Sequence, residues 1–122
     1  MKKNFRILIV EDEASLRKFM NFHLELEGFS VLDAEDARGA LTLLENEDVD
    51  LIISDIRMPG DMDGIDLIEA HRKKKPGQKV ILMTGYTLDD RFEKVQQMGD
   101  IRWIRKPFEL TELESALSQL LT

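Results

Sequence analysis

Short apolar runs alternate along this chain with longer stretches in which apolar side chains return every three or four residues. Phe5 to Val10, Ser30 to Asp33, Leu51 to Ser54, Lys79 to Met83 and Ile101 to Ile104 have β-branched or Leu-rich centres and read as strands. The helices fall between them. Ala14 to Glu27 carries Leu16, Met20 and Leu24 at spacing i, i+4, i+8 and ends at Gly28, which suits a left-handed cap. Asp36 can cap a second helix holding Leu41 and Leu44, and a third spans about Ile65 to Lys74, stopped by Pro76-Gly77. A fourth begins after its N-cap Thr87 and stops at Gly99, and a fifth closes the chain with Leu110, Leu113, Leu117 and Leu120 on one face. Five strand-helix units predict an α/β fold: a doubly wound five-stranded parallel sheet covered on both faces by five helices, three layers in all. Right-handed parallel crossovers require that arrangement.

Such a sheet has a chemical consequence. All its strands point one way, so residues just past their carboxyl ends gather along one edge, where these folds bind ligands. Here Ile7-Leu8-Ile9-Val10 runs into Glu11-Asp12, Leu51-Ile52-Ile53-Ser54 into Asp55, and Ile101 to Ile104 into Lys106. Three carboxylates and one ammonium then share a crevice. Carboxylates packed that closely prefer to be protonated unless a cation lies among them. The chain has no cysteine, which removes thiolate metal sites, disulfides and thiol nucleophiles and leaves oxygen ligands. Magnesium takes one or two protein carboxylates and keeps waters or phosphate oxygens elsewhere. Asp12 and Asp55 fit that role, with Glu11 reaching a metal-bound water. A neutralised Asp can accept a phosphoryl group as an aspartyl phosphate. Lys106 would place a point charge on the phosphoryl oxygens, and Thr84, ending the run Val80-Ile81-Leu82-Met83, would donate a hydroxyl hydrogen bond.

Those residues carry a resemblance across the whole chain. Ile9-Val10-Glu11-Asp12-Glu13, Ser54-Asp55-Ile56-Arg57-Met58-Pro59-Gly60, Met62-Asp63-Gly64, Met83-Thr84-Gly85 and Lys106-Pro107-Phe108 resemble the motifs of a response-regulator receiver domain of two-component signalling systems. The resemblance implies a flavodoxin-like sheet in the order 2-1-3-4-5. It also implies that Asp55 accepts phosphate from a histidine kinase or histidine phosphotransfer domain. Glu11, Asp12, Asp55 and the main-chain carbonyl of Arg57 would hold Mg2+ or Mn2+. Thr84 and Lys106 would read the phosphate, the Lys106-Pro107 peptide would be cis, and Trp103 would stand at the switch aromatic. Two features depart from the pattern: an extra residue at Gly60-Asp61, and Trp103 where Tyr or Phe is more common.

Composition limits the alternatives. With 122 residues, 43% hydrophobic and 34% charged, and no Pro/Gly/Ser linker or internal repeat, residues 1–122 read as one receiver domain with one core. There is no long apolar run and no leader at Met1-Lys2-Lys3, so a cytoplasmic location away from membranes is expected. A net charge of −7 argues against direct nucleic-acid binding. The expected role is a signalling switch that promotes its own phosphorylation and dephosphorylation rather than an enzyme with turnover. Its output is protein contact with an effector, and a phosphorylation-dependent dimer is compatible with it. The rival readings are a pseudo-receiver acting only as an interaction module and a small Mg2+-dependent aspartyl-phosphate phosphatase. A flavin binder is disfavoured, because Glu11-Asp12-Glu13 after the first strand repels phosphate.

Further expectations concern the periphery. Ser15, Phe19 and Phe22, with Leu26, form a stripe beside the core-facing positions of the first helix, resembling a kinase-docking surface. Arg57 and Tyr86, two residues beyond Asp55 and Thr84, overhang the path of a hydrolytic water and would tune the lifetime of the phosphate. The run His71 to Lys75 reads as a solvated helix end, and His23 and His71 as lone imidazoles in surface or packing roles.

Overall fold

Each apolar run becomes a strand, and the strands assemble in the only layer that can bury runs apolar on both faces. The computed structural model describes residues 4–85, 91, 93, 95 and 97–121. Its strands are β1 (Arg6–Val10), β2 (Ser30–Ala34), β3 (Leu51–Asp55), β4 (Lys79–Thr84) and β5 (Ile101–Arg105). They form one parallel sheet in the order β2-β1-β3-β4-β5. β3, at the centre, is buried at all five positions. That burial explains why Leu51-Ile52-Ile53 shows no alternation of apolar and polar residues.

The described helices are α1 (Ala14–Leu26), α2 (Ala37–Asn46), α3 (Gly64–Arg72) and a C-terminal helix (Leu110–Leu120). Asp36 caps α2 through its side chain, which accepts from the Gly39 N–H at 2.7 Å. Gly28 ends α1 with φ 99°, a left-handed conformation that costs glycine nothing. The fourth helix expected from the sequence, with its cap Thr87, falls on a stretch lying mostly outside the described residues. Within that stretch, Val95 N–H donates to Arg91 O and Gln97 N–H to Glu93 O, one helical turn apart in each case.

In place of the one core expected from the sequence, the sheet, apolar on both faces, divides the buried residues into two clusters. One joins Met20 and Leu24 of α1 to Ile7, Ile9, Ile53 and Ile81 and to Leu113, Leu117 and Leu120 of the C-terminal helix. The other packs Ala37, Ala40, Ile65 and Ile68 against Leu8, Val10, Ile52 and Leu82. Side chains of a strand alternate between faces, so Ile7 and Ile9 serve one core and Leu8 and Val10 the other. Each layer is thereby committed to one side of the sheet.

The basic run His71 to Lys75 is only partly the solvated end expected of it. Lys73 and Lys74 are exposed, whereas His71 and Arg72 are buried. Arg72 donates to the carbonyls of Gln78, Met98 and Gly99, and a His71 ring nitrogen stands 2.9 Å from Gln78 Oε1. A guanidinium carries five donors in a planar fork, which lets one side chain satisfy several carbonyls at once. Burial lowers the Arg72 pKa, with Asp100 opposing. Its role is to tie the end of α3 to the turn that opens β5.

Candidate functional site

The strands deliver their terminal residues to one edge, as parallel topology demands. Glu11 follows β1 and is fully buried, Asp55 ends β3 with 8% exposure, and Asp12 beside them is exposed. Carboxylate oxygens of all three lie within 4.8 Å of one another. Lys106 follows β5 at the far side of the sheet and reaches across β4 to join them. Its Nζ donates to Glu11 Oε1 at 2.8 Å and to Asp55 Oδ2 at 3.0 Å. Thr84, nearly buried at the end of β4, lies between these elements, and its carbonyl accepts from the Lys106 N–H at 2.7 Å. The Lys106-Pro107 peptide is cis.

The backbone around Asp55 is held from three sides. The Ser54 hydroxyl donates to the Asp55 carbonyl at 2.8 Å, the Ile56 N–H donates to Met83 O, and the Gly64 N–H donates to Ile56 O at 2.7 Å. Gly64 opens α3 directly beneath this loop. A Cβ there would stand 2.1 Å from the Asp55 carbonyl oxygen, so only glycine fits. Asp63 precedes it in a capping box with Asp66, and both carboxylates also accept from Arg91.

Electrostatics follow the geometry. Burial pushes the Glu11 carboxyl above its ordinary value and the Asp55 charge adds to this, while bonds from Lys106 and the Glu13 N–H pull the other way. Burial acts to lower the Lys106 pKa, but its hydrogen bonds and charge interactions with Glu11 and Asp55 outweigh that and raise it. Burial likewise opposes ionisation of Asp63, yet Arg91 and the Asp66 N–H hold its pKa below the ordinary range. Three carboxylates facing one ammonium leave an excess of two negative charges, the charge one divalent cation would cancel. The all-oxygen donor set suits a hard cation such as Mg2+.

The structure thus brings Glu11, Asp12, Asp55 and Lys106 together and puts Thr84 beside them. Arg57 is exposed, two residues beyond Asp55, in the loop that bears the extra residue. Within that loop Gly60 takes φ 103° and Asp61 pairs with Arg38 at 2.8 Å. Tyr86 lies outside the described residues. Trp103, half-buried in β5, pairs in register with Leu82 of β4, two residues before Thr84. Phe19, Phe22 and Leu26 are 49%, 64% and 69% exposed, and a groove lined by Ser15, Leu16, Phe19, Lys106 and Phe108 runs beside them. Two contacts had no signal in the sequence. Arg17 donates to the Glu11 carbonyl at 2.7 Å, holding the backbone of the acid pair, and Arg91 grips the α3 cap.

Comparison with known proteins shows the family. The model of the response regulator receiver domain matches residues 7–118. The chain belongs to that family, the receiver domains of two-component signalling. It is 36% identical over 120 residues to the transcriptional regulatory protein GlrR of Escherichia coli, covering 98% of this chain and 27% of GlrR. The chain thus spans about a quarter of that relative. It is 30% identical over 118 residues to sporulation initiation phosphotransferase F of Bacillus subtilis, covering 97% of this chain and 94% of that protein. Among solved structures it resembles the response regulator TrrA of Thermotoga maritima, determined in complex with Mg2+-BeF. The TM-score is 0.82 at 32% identity, covering 96% of this chain and 99% of that one.

Proposed function

We propose that this chain, as one domain over residues 1–122, is the phosphoacceptor of a His-Asp phosphorelay and works in the cytoplasm. The observation that carries the reading is Lys106, whose single ammonium bridges Glu11 and Asp55 across the strand-end pocket. A lysine so placed already holds the position that phosphoryl oxygens would need. Asp55 is the nucleophile: its carboxylate attacks phosphorus in line, the P–N bond to the donor imidazole breaks, and that imidazole leaves. Asp12, Asp55 and the Arg57 carbonyl would hold Mg2+ or Mn2+, with Glu11 reaching a bound water. The ion would supply charge neutralisation at the phosphoryl oxygens. Lys106 and the Thr84 hydroxyl orient the transferred group, and Thr84 with Trp103 communicates its presence to the face of β5. Phe19 and Phe22, beside Ser15, offer an exposed apolar surface to the donor protein. Arg57 and Tyr86 set the lifetime of the phosphate by shielding it. Output passes through contacts with an effector, not through nucleic acid or a membrane. Among the described residues no helix is long and apolar enough to cross one.

One phosphoprotein assay tests these assignments. Asp55→Asn should abolish phosphate incorporation from acetyl phosphate and from a phosphorylated histidine domain, with the fold intact by circular dichroism. Phe22→Ala should slow transfer from the histidine domain about tenfold while leaving the acetyl phosphate reaction nearly unchanged. Arg57→Ala should shorten the lifetime of the phosphoprotein. A phospho-adduct retained in Asp55→Asn would overturn the proposal, and equal slowing of both donors in Phe22→Ala would remove the docking surface.

A further inference from the structure

A second donor cluster lies away from the strand-end pocket, between α1 and the C-terminal helix. These helices share one core through Met20, Leu24, Leu113 and Leu117, and at its margin they bring three potential metal ligands together. His23 Nε2 stands 3.3 Å from Glu114 Oε2, and donor atoms of His23, Glu27 and Glu114 all lie within 4.8 Å of one another. We propose that His23, Glu27 and Glu114 form a Zn2+ site that clamps α1 to the C-terminal helix.

Three features favour a transition-metal ion. His23 and Glu27 sit at positions i and i+4 across the last turn of α1, so both side chains emerge on one face. Glu114 comes from a helix about ninety residues later, and tertiary packing aims it at the same point. Zinc bonds of about 2.0–2.2 Å to imidazole and carboxylate place tetrahedral ligands about 3.4 Å apart. The His23–Glu114 separation of 3.3 Å already matches that edge, and a carboxylate oxygen of Glu27 lies within 4.8 Å of both partners.

The local field points the same way. Glu27 caps the C-terminus of α1, where the helix dipole already presents partial negative charge. A divalent cation there would be held by the imidazole and both carboxylates, with a water completing four-coordination. The imidazole donor selects against Mg2+, which prefers oxygen ligands, and in favour of Zn2+. The cluster is separate from the phosphoacceptor pocket: it lies at the opposite end of α1, roughly 15–20 Å away by helix rise.

Calorimetric titration of the whole chain with Zn2+, in excess Mg2+ to occupy the strand-end pocket, tests the assignment. The expected result is one Zn2+ per chain and a melting temperature about 10 °C higher when free Zn2+ is near a hundred times Kd. His23→Gln and Glu114→Gln, each checked for native circular dichroism, should weaken binding by at least the roughly tenfold to hundredfold that loss of an outer-shell partner alone costs. Asp12→Ala should bind Zn2+ as the unaltered chain does. Co2+ should develop tetrahedral visible absorption in the unaltered chain and lose it in His23→Gln. The proposal is overturned by absence of Zn2+ binding, which would leave His23 as an imidazole paired with acids. Equal affinity in His23→Gln overturns it too, as does loss of binding in Asp12→Ala, which would place the ion in the strand-end pocket.

Discussion

Lys106 and Glu11 show how one contact sets the chemistry of the pocket. Glu11 is fully buried and its pKa is raised, so the folded state holds its proton more tightly than the unfolded chain does. The sign follows from linkage: ionising Glu11 costs stability, and that cost grows as pH rises from the ordinary carboxylate range through the raised value. A bound divalent cation would reverse this by favouring the charged form. Mg2+ affinity should therefore fall as pH drops through the raised Glu11 pKa. Lys106→Met removes a hydrogen bond and a positive charge that hold Glu11 down, so the midpoint of this pH dependence should move upward. At pH 8 the same variant should bind Mg2+ at least as tightly as the unaltered chain, because a competing cation is gone. Calorimetric magnesium titrations between pH 5 and 8 would decide the matter. An unchanged midpoint would show that Lys106 does not control Glu11.

At the scale of elements, the start of α3 holds the loop that follows Asp55 in place. Gly64 N–H bonds Ile56 O while its Cα lies against the Asp55 carbonyl, and Asp63 and Asp66 close the helix end with Arg91. A methyl group at position 64 would meet backbone rather than a flexible side chain, so relief requires α3 or the loop to shift. Gly64→Ala should accordingly destabilise the protein by about 2 kcal/mol. It should also slow phosphorylation at Asp55, despite the higher helix propensity of alanine. Urea denaturation measures the first effect and acetyl phosphate kinetics the second. An unchanged urea midpoint would mean that the loop yields freely and α3 does not position it.

For the molecule as a whole, the question is how an event at Asp55 reaches a surface. Phosphorylation of Asp55, as proposed, would add about −1.5 to −2 charges beside Lys106 and Thr84. Thr84 ends β4, whose neighbour β5 carries Trp103 in register with Leu82. Movement of Thr84 toward the new phosphate would open space that the indole can enter. Turning a mostly inactive population into a mostly active one needs a preference of roughly 5 kcal/mol for the active state. Trp103 is the chain's one tryptophan, so its emission would report such a movement. Beryllofluoride with Mg2+ should change its intensity in the unaltered chain and not in Asp55→Asn. Identical spectra with and without beryllofluoride would count against a switch through this ring.

Much of this protein is legible in its sequence because period and topology are local rules. Runs such as Ile7 to Val10 and Leu51 to Ile53 can only be buried strands, and parallel strands bring their ends together wherever they lie in the chain. Glu11, Asp12, Asp55, Thr84 and Lys106 were thus readable as one pocket, with Gly28 and Asp36 as helix boundaries. The tertiary structure alone decided the contacts that depend on helix rotation and on long side chains meeting across layers. Arg72 reaches the carbonyls of Met98 and Gly99, Arg91 the cap of α3, and Glu114 the last turn of α1 beside His23. Sequence spacing cannot anticipate these meetings. A strand end has one destination in a parallel sheet, whereas a charged side chain on a helix surface has many partners within reach, and packing selects among them.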